Sequence, residues 1–161
     1  MIIMGLDPGI AACGYGIIHA KGTKLECLAC GVLRTYSDES ATKRLESIYQ
    51  GVSNLISEFS PNTVAVESLF FAKNSKTAMK VGQAKGVLML AAAHNNLEIF
   101  EYTPLQVKQG VCGYGSASKE QVQKMVKQIL SLDKIPKPDD AADALAVSLC
   151  HSQAYRLRTR L

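Results

Sequence analysis

The spacing of apolar residues changes period twice before Glu67, and this limits the fold more than any other feature of the chain. Met1 to Leu6 is an apolar run closed by the turn Asp7-Pro8-Gly9. Gly14 to Ala20 and Lys24 to Leu33 follow as two more strands joined at Lys21-Gly22-Thr23, so the opening reads as an antiparallel meander. From Ala41 to Phe59, Leu45, Ile48, Tyr49, Val52, Leu55, Ile56 and Phe59 recur at three and four, which is one face of a helix. Thr63 to Glu67 then returns to a short, β-branched strand. A strand, a helix and another strand in succession cross over to make a parallel pair. Which earlier strand is the parallel neighbour stays open at this level.

Downstream, the pattern predicts a helix from Asn74 to His94, a strand from Leu97 to Tyr102, a short helix opened by Pro104 and a glycine-rich loop from Gly110 to Ser116. A helix from Ser118 to Leu130 follows, with Ser118 and Gln121 at capping-box spacing, and a last helix from Pro138 to Tyr155. The expected fold class is α/β: a five-stranded mixed sheet, three antiparallel strands and then two parallel ones, flanked by helices. The 161 residues suit a single domain, 1–161, with the basic stretch 156–161 read as a frayed tail. An apolar content of 47% with 20% charged residues is the balance of a chain that folds, not of a disordered one.

The longest apolar stretch, Gly86 to Ala93, is too short to span a bilayer, and MIIMGLD carries no basic leader, so the expectation is a soluble, cytoplasmic protein with no membrane partner. Five scattered cysteines fit a reducing compartment. Cys27 and Cys30 form a C-x-x-C, but a separation of three along a strand puts side chains on opposite faces, so they read as plain strand residues rather than a zinc or redox site. His19, His94 and His151 receive no functional role.

The acids carry the chemistry. Asp7 and Glu67 each close a predicted strand, at the edge where open α/β sheets hold their ligands. Asp7 shares its face with Gly5 and Ile3, and Glu67 with Ala65 and Thr63, while Ile2, Met4, Leu6, Val64 and Val66 point the other way. The small residues beside the acids allow another backbone to approach. KPDDAADALA, residues 137–146, supplies a suitable helix: Ala141, Ala142, Ala144 and Ala146 keep it slim, and Asp140 and Asp143 project together. Carboxylates so gathered repel one another strongly unless a cation or protons intervene. Oxygen-only ligands select hard ions, magnesium or manganese, and two such ions about 4 Å apart serve phosphodiester cleavage. Asp139 and Asp143, four apart, can share a face as well, while the place of Asp139 in the first helical turn equally suits the helix macrodipole.

Basic and aromatic residues flank these acids. Phe70 and Phe71 follow Glu67 closely and point in different directions in an extended loop, so that one is available to stack on a nucleobase. Lys73, Lys76 and Lys80 recur at helical spacing, Lys108 and Lys119 decorate later helices, and the net charge is +4. A metal-loaded acidic pocket within a basic surface suits a polyanionic substrate.

GLDPG with Asp7, VES with Glu67, FFAKN, VGQAKGV, YTPLQVKQGVCGYGSASKEQV and DAADALA occur in this order over essentially the whole chain. In these stretches the sequence resembles the RuvC family of bacterial Holliday-junction resolvases. The resemblance implies an RNase H-like fold, a homodimer, and a magnesium-dependent endonuclease that nicks two strands of a four-way DNA junction symmetrically in recombination and repair. It further implies 5′-phosphate and 3′-hydroxyl ends, two magnesium ions per site that manganese can replace, and RuvA and RuvB as partners. Asp7, Glu67, Asp140 and Asp143 match the family's catalytic, metal-binding carboxylates; Asp139 does not fall on the motif. Phe70 matches the aromatic residue that contacts unstacked bases, and Lys108 and Lys119 match basic residues near the scissile phosphate. Phe71 departs from the family pattern, which leaves the choice between the two phenylalanines open. The apolar helix around Leu88 fits the dimer surface. An RNase H-like nuclease acting on structured RNA and a junction-binding module without catalysis are the alternatives.

Overall fold

The computed structural model describes residues 1–68 and 75–158, with the side chains of 75–77 excepted. The chain runs β1 (Ile2–Asp7), β2 (Ala12–Lys21), β3 (Lys24–Arg34), α1 (Ala41–Phe59), β4 (Thr63–Glu67), α2 (Ser75–His94), β5 (Glu98–Tyr102), α3 (Pro104–Cys112), α4 (Lys119–Ile129) and α5 (Asp139–Arg158). The strands form one mixed sheet in the order β3-β2-β1-β4-β5. β1 is antiparallel to β2 and β2 to β3, whereas β1 and β5 both run parallel to β4. This is the α/β architecture expected from the apolar pattern.

The parallel neighbour left open by the sequence is β1: Ile3 to Leu6 lie in register with Thr63 to Val66. Asn62 pins the start of that register, its amide donating to the Ile2 carbonyl at 2.8 Å while its side-chain oxygen accepts from the Ile2 amide at 2.6 Å. One residue beyond the paired segment, Asp7 and Glu67 therefore leave the sheet side by side. Strand alternation divides the core into two layers. Met4, Leu6, Val64 and Val66 pack with Ile48, Val52 and Ile56 of α1 and Leu88 of α2. Ile3 and Ala65 face α5, α3 and α4 through Leu145, Leu149, Val107 and Val122.

On that second layer α5 lies against bare backbone. A Cβ added to Gly5 would run into the Ala144 carbonyl oxygen and sit 2.7 Å from the Ser148 amide. One on Gly14 would strike the Asp140 carbonyl, and one on Gly16 would come within 2.6 Å of the Leu145 amide. Glycine in these strands forgoes side-chain packing in exchange for the close approach of a second main chain. The alanines of α5 complete the contact: Ala141, Ala142, Ala144 and Ala146 are all buried.

Local capping follows the sequence. Ser118 and Gln121 form the expected reciprocal cap of α4, with bonds of 3.2 and 2.8 Å, and Thr103 with Gln106 caps α3 in the same way. α5 begins at Asp139 and continues to Arg158, past the expected end at Tyr155. The Arg158 guanidinium lies 5.7 Å from the centre of the Phe100 ring, which ties residues 156–158 to the sheet as helix instead of letting them fray. His151 is buried, paired with Thr63 Oγ1 at 3.1 Å and Tyr102 Oη at 2.8 Å, and burial pushes its imidazole down to about 4. It is a neutral link between α5 and the sheet. No helix among the described residues is long and apolar enough to cross a membrane.

One expectation needs correction. Pairing of β2 with β3 steps from Ile17↔Ala29 to Ile18↔Cys27, a bulge that leaves Leu28 unmatched. Side-chain alternation slips there, so Cys27 and Cys30 fall on the same face of β3, not opposite ones, and both pack against the layer beneath α5. In the apolar helix around Leu88, Leu88 itself is buried in the α1 layer, while Met79 and Leu90 are the large apolar residues that α2 exposes.

The backbone contact at Gly16 predicts that Gly16→Ala, which forces α5 outward, lowers unfolding stability by about 2–4 kcal/mol in urea titrations. An unchanged midpoint would mean that the sheet does not hold α5 by this approach.

Candidate active site

Three elements converge at one end of the sheet. β1 delivers Asp7, β4 delivers Glu67, and the first turns of α5, lying over Gly14 and Gly5, deliver Asp140 and Asp143. Asp143 is three residues after Asp140, so both acids lie over the same end of the helix.

Their fields overlap strongly. Burial, and then the charges of Glu67, Asp143 and Asp140, push the Asp7 carboxyl up to about 8, against a smaller downward pull from Lys119. Burial and then Asp143 raise Glu67, with Lys119 and Lys108 opposing. Burial likewise raises Asp143, opposed chiefly by its hydrogen bond to Lys119. The Cys13 thiol reports the same field from the next strand: burial first, then Asp7, push it up to about 12.

Positive charge enters from α3 and α4. Lys119, the first residue of α4, places its ammonium 2.8 Å from Asp143 Oδ2 and 3.7 Å from Asp139 Oδ2. Lys108 joins Glu67, Lys119 and Asp143 in lining a cavity of about 160 Å³ whose apolar wall includes Val107 and Val122. An anion entering this cavity would meet the ammonium groups of Lys108 and Lys119 among the carboxylates of Glu67 and Asp143.

Asp139 lies at the rim of this cluster, sharing Lys119 with Asp143, whose carboxyl its charge helps to raise. Its carboxylate is held by Lys137 at 2.7 Å, which with Gln123 and Lys119 keeps it below the usual carboxylate range, and it plays no part in raising Asp7. Lys137 and Gln123 were not singled out in the sequence, although Lys137 directly precedes Pro138 and the aspartate pair. Ser68 was also missed: its amide donates to the Tyr102 carbonyl at 2.7 Å and its hydroxyl to Glu101 at 3.2 Å, with Lys85 paired to the same glutamate. These bonds fix the main chain directly after Glu67. No local pattern announces them, because the partners come from β5 and α2. Lys80 is exposed on α2 and does not line the cavity. Phe70, Phe71 and Lys73 lie outside the described residues, as does the side chain of Lys76.

As placed, no group of three or more His, Cys, Asp or Glu side chains among the described residues closes around a single point, and Asp143 is engaged by Lys119. The donor chemistry nevertheless fits a hard divalent cation. The ligands are carboxylate oxygens, and burial first, then the charges of the neighbouring acids, raise the Asp7 carboxyl, a penalty that a cation would relieve. Asp7, Glu67, Asp140 and Asp143 are the residues that would hold it.

The chain matches the family model for crossover junction endodeoxyribonuclease RuvC over residues 3–151. It is 56% identical over 152 residues to the crossover junction endodeoxyribonuclease RuvC of Alkaliphilus oremlandii, covering 94% of this chain and 93% of that one. It is 52% identical over 161 residues to the protein of the same name from Clostridioides difficile, covering 100% and 95%. Among solved structures it resembles Thermus thermophilus RuvC with a TM-score of 0.91, at 39% identity and with 99% and 98% of the two chains covered. The T. thermophilus protein in complex with its Holliday junction substrate gives a TM-score of 0.94, at 39% identity and with 99% and 97% covered.

The charge balance sets a sign for stability. Asp7 titrates near 8 in the fold, against about 3.9 for an unfolded aspartate, so its neutral form favours folding. The contribution is complete below the unfolded value and is lost as pH rises through about 8. With a chelator present, the melting temperature is expected to fall as pH is raised from about 5 to about 9. Asp7→Asn, which cannot ionise, should fall less and exceed the parent by on the order of 2 kcal/mol at the alkaline end. Equal pH profiles for the two would contradict this.

Proposed function

The chain belongs to the RuvC family of crossover junction endodeoxyribonucleases, and on that premise we propose that Asp7, Glu67, Asp140 and Asp143 form its nuclease centre. The protein is a metal-dependent endonuclease that resolves Holliday junctions. The observation that carries the site is the convergence at one end of the sheet of Asp7 from β1, Glu67 from β4 and Asp140 and Asp143 from α5, near enough that burial and the other three acids raise the Asp7 carboxyl. Such a concentration of like charge costs stability in the free chain, and a cation-dependent reaction on an anion gives it a use.

We take the metal to be magnesium, two ions per site with manganese able to substitute, because the donors are all carboxylate oxygens. When bound, divalent cations neutralise the acids and supply the Lewis acidity that makes a water oxygen a competent attacker at phosphorus. The chain's own groups do the rest. Asp7 and Glu67, set side by side by the parallel register of β1 and β4, form the sheet side of the acid cluster, and Glu67 also lines the cavity. Asp140 and Asp143 close it from above, at a height set by the glycine contacts of α5. Lys119 and Lys108 receive the phosphate oxygens; Lys119, paired with Asp143 in the free chain, would be released toward the charge that develops in the transition state if a cation took that carboxylate. Attack with departure of the 3′ oxygen leaves a 5′-phosphate and a 3′-hydroxyl.

Paired, symmetric nicks need two such centres related by two-fold symmetry. We propose a homodimer through the outer face of α2, where Met79 and Leu90 are exposed and a Cβ on Gly86 would meet nothing within 4 Å. Phe70 or Phe71 as the base-stacking residue, Lys73, Lys76 and Lys80 as DNA contacts, a cytoplasmic location, and RuvA and RuvB as partners complete the proposal on the family resemblance.

Two experiments test it. On a synthetic four-way junction with magnesium, Asp7→Asn should cut at least about 10³-fold more slowly while binding the junction as tightly as the parent. Retained cutting would remove Asp7 from the centre, and equal cutting of structured RNA would redefine the substrate. Leu90→Glu should convert the dimer to monomer in sedimentation at micromolar concentration; an unchanged mass would place the interface elsewhere.

A further inference from the structure

The bulge in β3 creates an arrangement of two sulfurs that the nuclease reaction does not use. With Leu28 unmatched, Cys27 and Cys30 lie on the same face of the strand, near enough that each thiol shifts the ionisation of the other. β3 is the outermost strand of the sheet, paired only with β2, so its other edge is free to adjust at the bulge. Both cysteines are partly exposed, and Cys30 opens into a cleft of about 430 Å³ formed with the segment from Leu132 to Lys137. Lys134 and Lys137 line that cleft beside Cys30, with Asp133 as its acidic member.

We propose that Cys30 is a nucleophilic thiol that hydroperoxides oxidise to a reversible disulfide with Cys27. The other cysteines lack this combination. Cys13 and Cys150 are buried, burial raises the Cys112 thiol, and all five are free. Within the pair it is Cys30 that lines the cleft, beside Lys134 and Lys137, whose ammonium groups favour a thiolate, and Cys27 lowers the Cys30 thiol while being raised itself. Cys30 is thus the attacking sulfur and Cys27 the reserve that completes the bond.

The step balances. The Cys30 thiolate attacks one oxygen of hydrogen peroxide, the O–O bond breaks, and Cys30 becomes a sulfenic acid as hydroxide departs. The hydroxide takes the Cys27 proton; the Cys27 thiolate then attacks the Cys30 sulfur, forming S–S and expelling the sulfenic oxygen as a second hydroxide, which is neutralised by the solvent proton released when Cys30 first ionised. Two thiols are oxidised to one disulfide, and one peroxide is reduced to two waters. The disulfide would sit where β3 meets the segment that leads into α5.

The test uses the full chain, reduced and then treated with hydrogen peroxide at pH 7. Peptide mass mapping should find Cys27 joined to Cys30 with the loss of two hydrogens, reversed by dithiothreitol. Before oxidation, iodoacetamide should label Cys30 at least about tenfold faster than Cys112. In Cys27→Ser the sulfenic acid on Cys30 should persist and be trapped by a 1,3-dione, whereas Cys30→Ser should leave Cys27 unoxidised. Equal labelling of Cys30 and Cys112, direct passage of Cys30 to sulfinic acid in the parent chain, or disulfides only between molecules would each overturn the proposal.

Discussion

The close passage of α5 over Gly5, Gly14 and Gly16 is the contact on which the rest of the molecule depends. A helix normally rests on a sheet through interleaved side chains, and the separation is set by their bulk. Here main chain meets main chain. The carbonyls of Asp140 and Ala144 stand where Cβ atoms would otherwise be, so the first turns of α5 are lowered onto the end of β1. The cost is an unusually bare patch of sheet, offset by the alanines of α5 and by the larger residues further along, Leu145 and Leu149. His151 fastens the far end of the helix through Thr63 and Tyr102, two residues of the parallel strands.

That geometry accounts for the electrostatics. Asp7 and Glu67 are adjacent because β1 and β4 are parallel and in register, which requires the α1 crossover between them. Asp140 and Asp143 arrive because α5 is low. Packing and charge oppose each other at this end of the sheet, and burial is the larger of the influences that raise Asp7, Glu67 and Asp143. Lys119 answers part of the imbalance from the capped start of α4, so a capping box becomes a device for presenting an ammonium to the acids. Lys108 does the same from α3, whose own cap is built by Thr103 and Gln106. The pocket is a balance of charges held by three kinds of local structure: strand ends, helix starts and a backbone contact between layers.

How much of this could be read in the chain depended on the range of the interaction. The alternating runs, the 3.6-residue face of α1 and the Ser118–Gln121 cap are properties of neighbours in sequence, and they emerged with boundaries within a few residues of those observed. The face of β1 that carries Asp7 was legible for the same reason, since a strand without a bulge alternates strictly. β3 shows the limit: one extra residue, Leu28, reversed the relation between Cys27 and Cys30, and only the register against β2 reveals it. Leu88 shows another, because an all-apolar helix offers no periodic sign of which side is inner.

The sequence by itself determined the elements, their order, the acids at strand ends and the slimness of the final helix, because propensity, periodicity and turn chemistry act over a few residues. Tertiary structure alone decided that β1 is the parallel partner of β4, that Lys119 reaches Asp143 from α4, and that Ser68 is tied to β5. Those outcomes depend on which distant groups come within a few ångströms, and Coulomb and hydrogen-bond energies respond to that distance, not to separation along the chain.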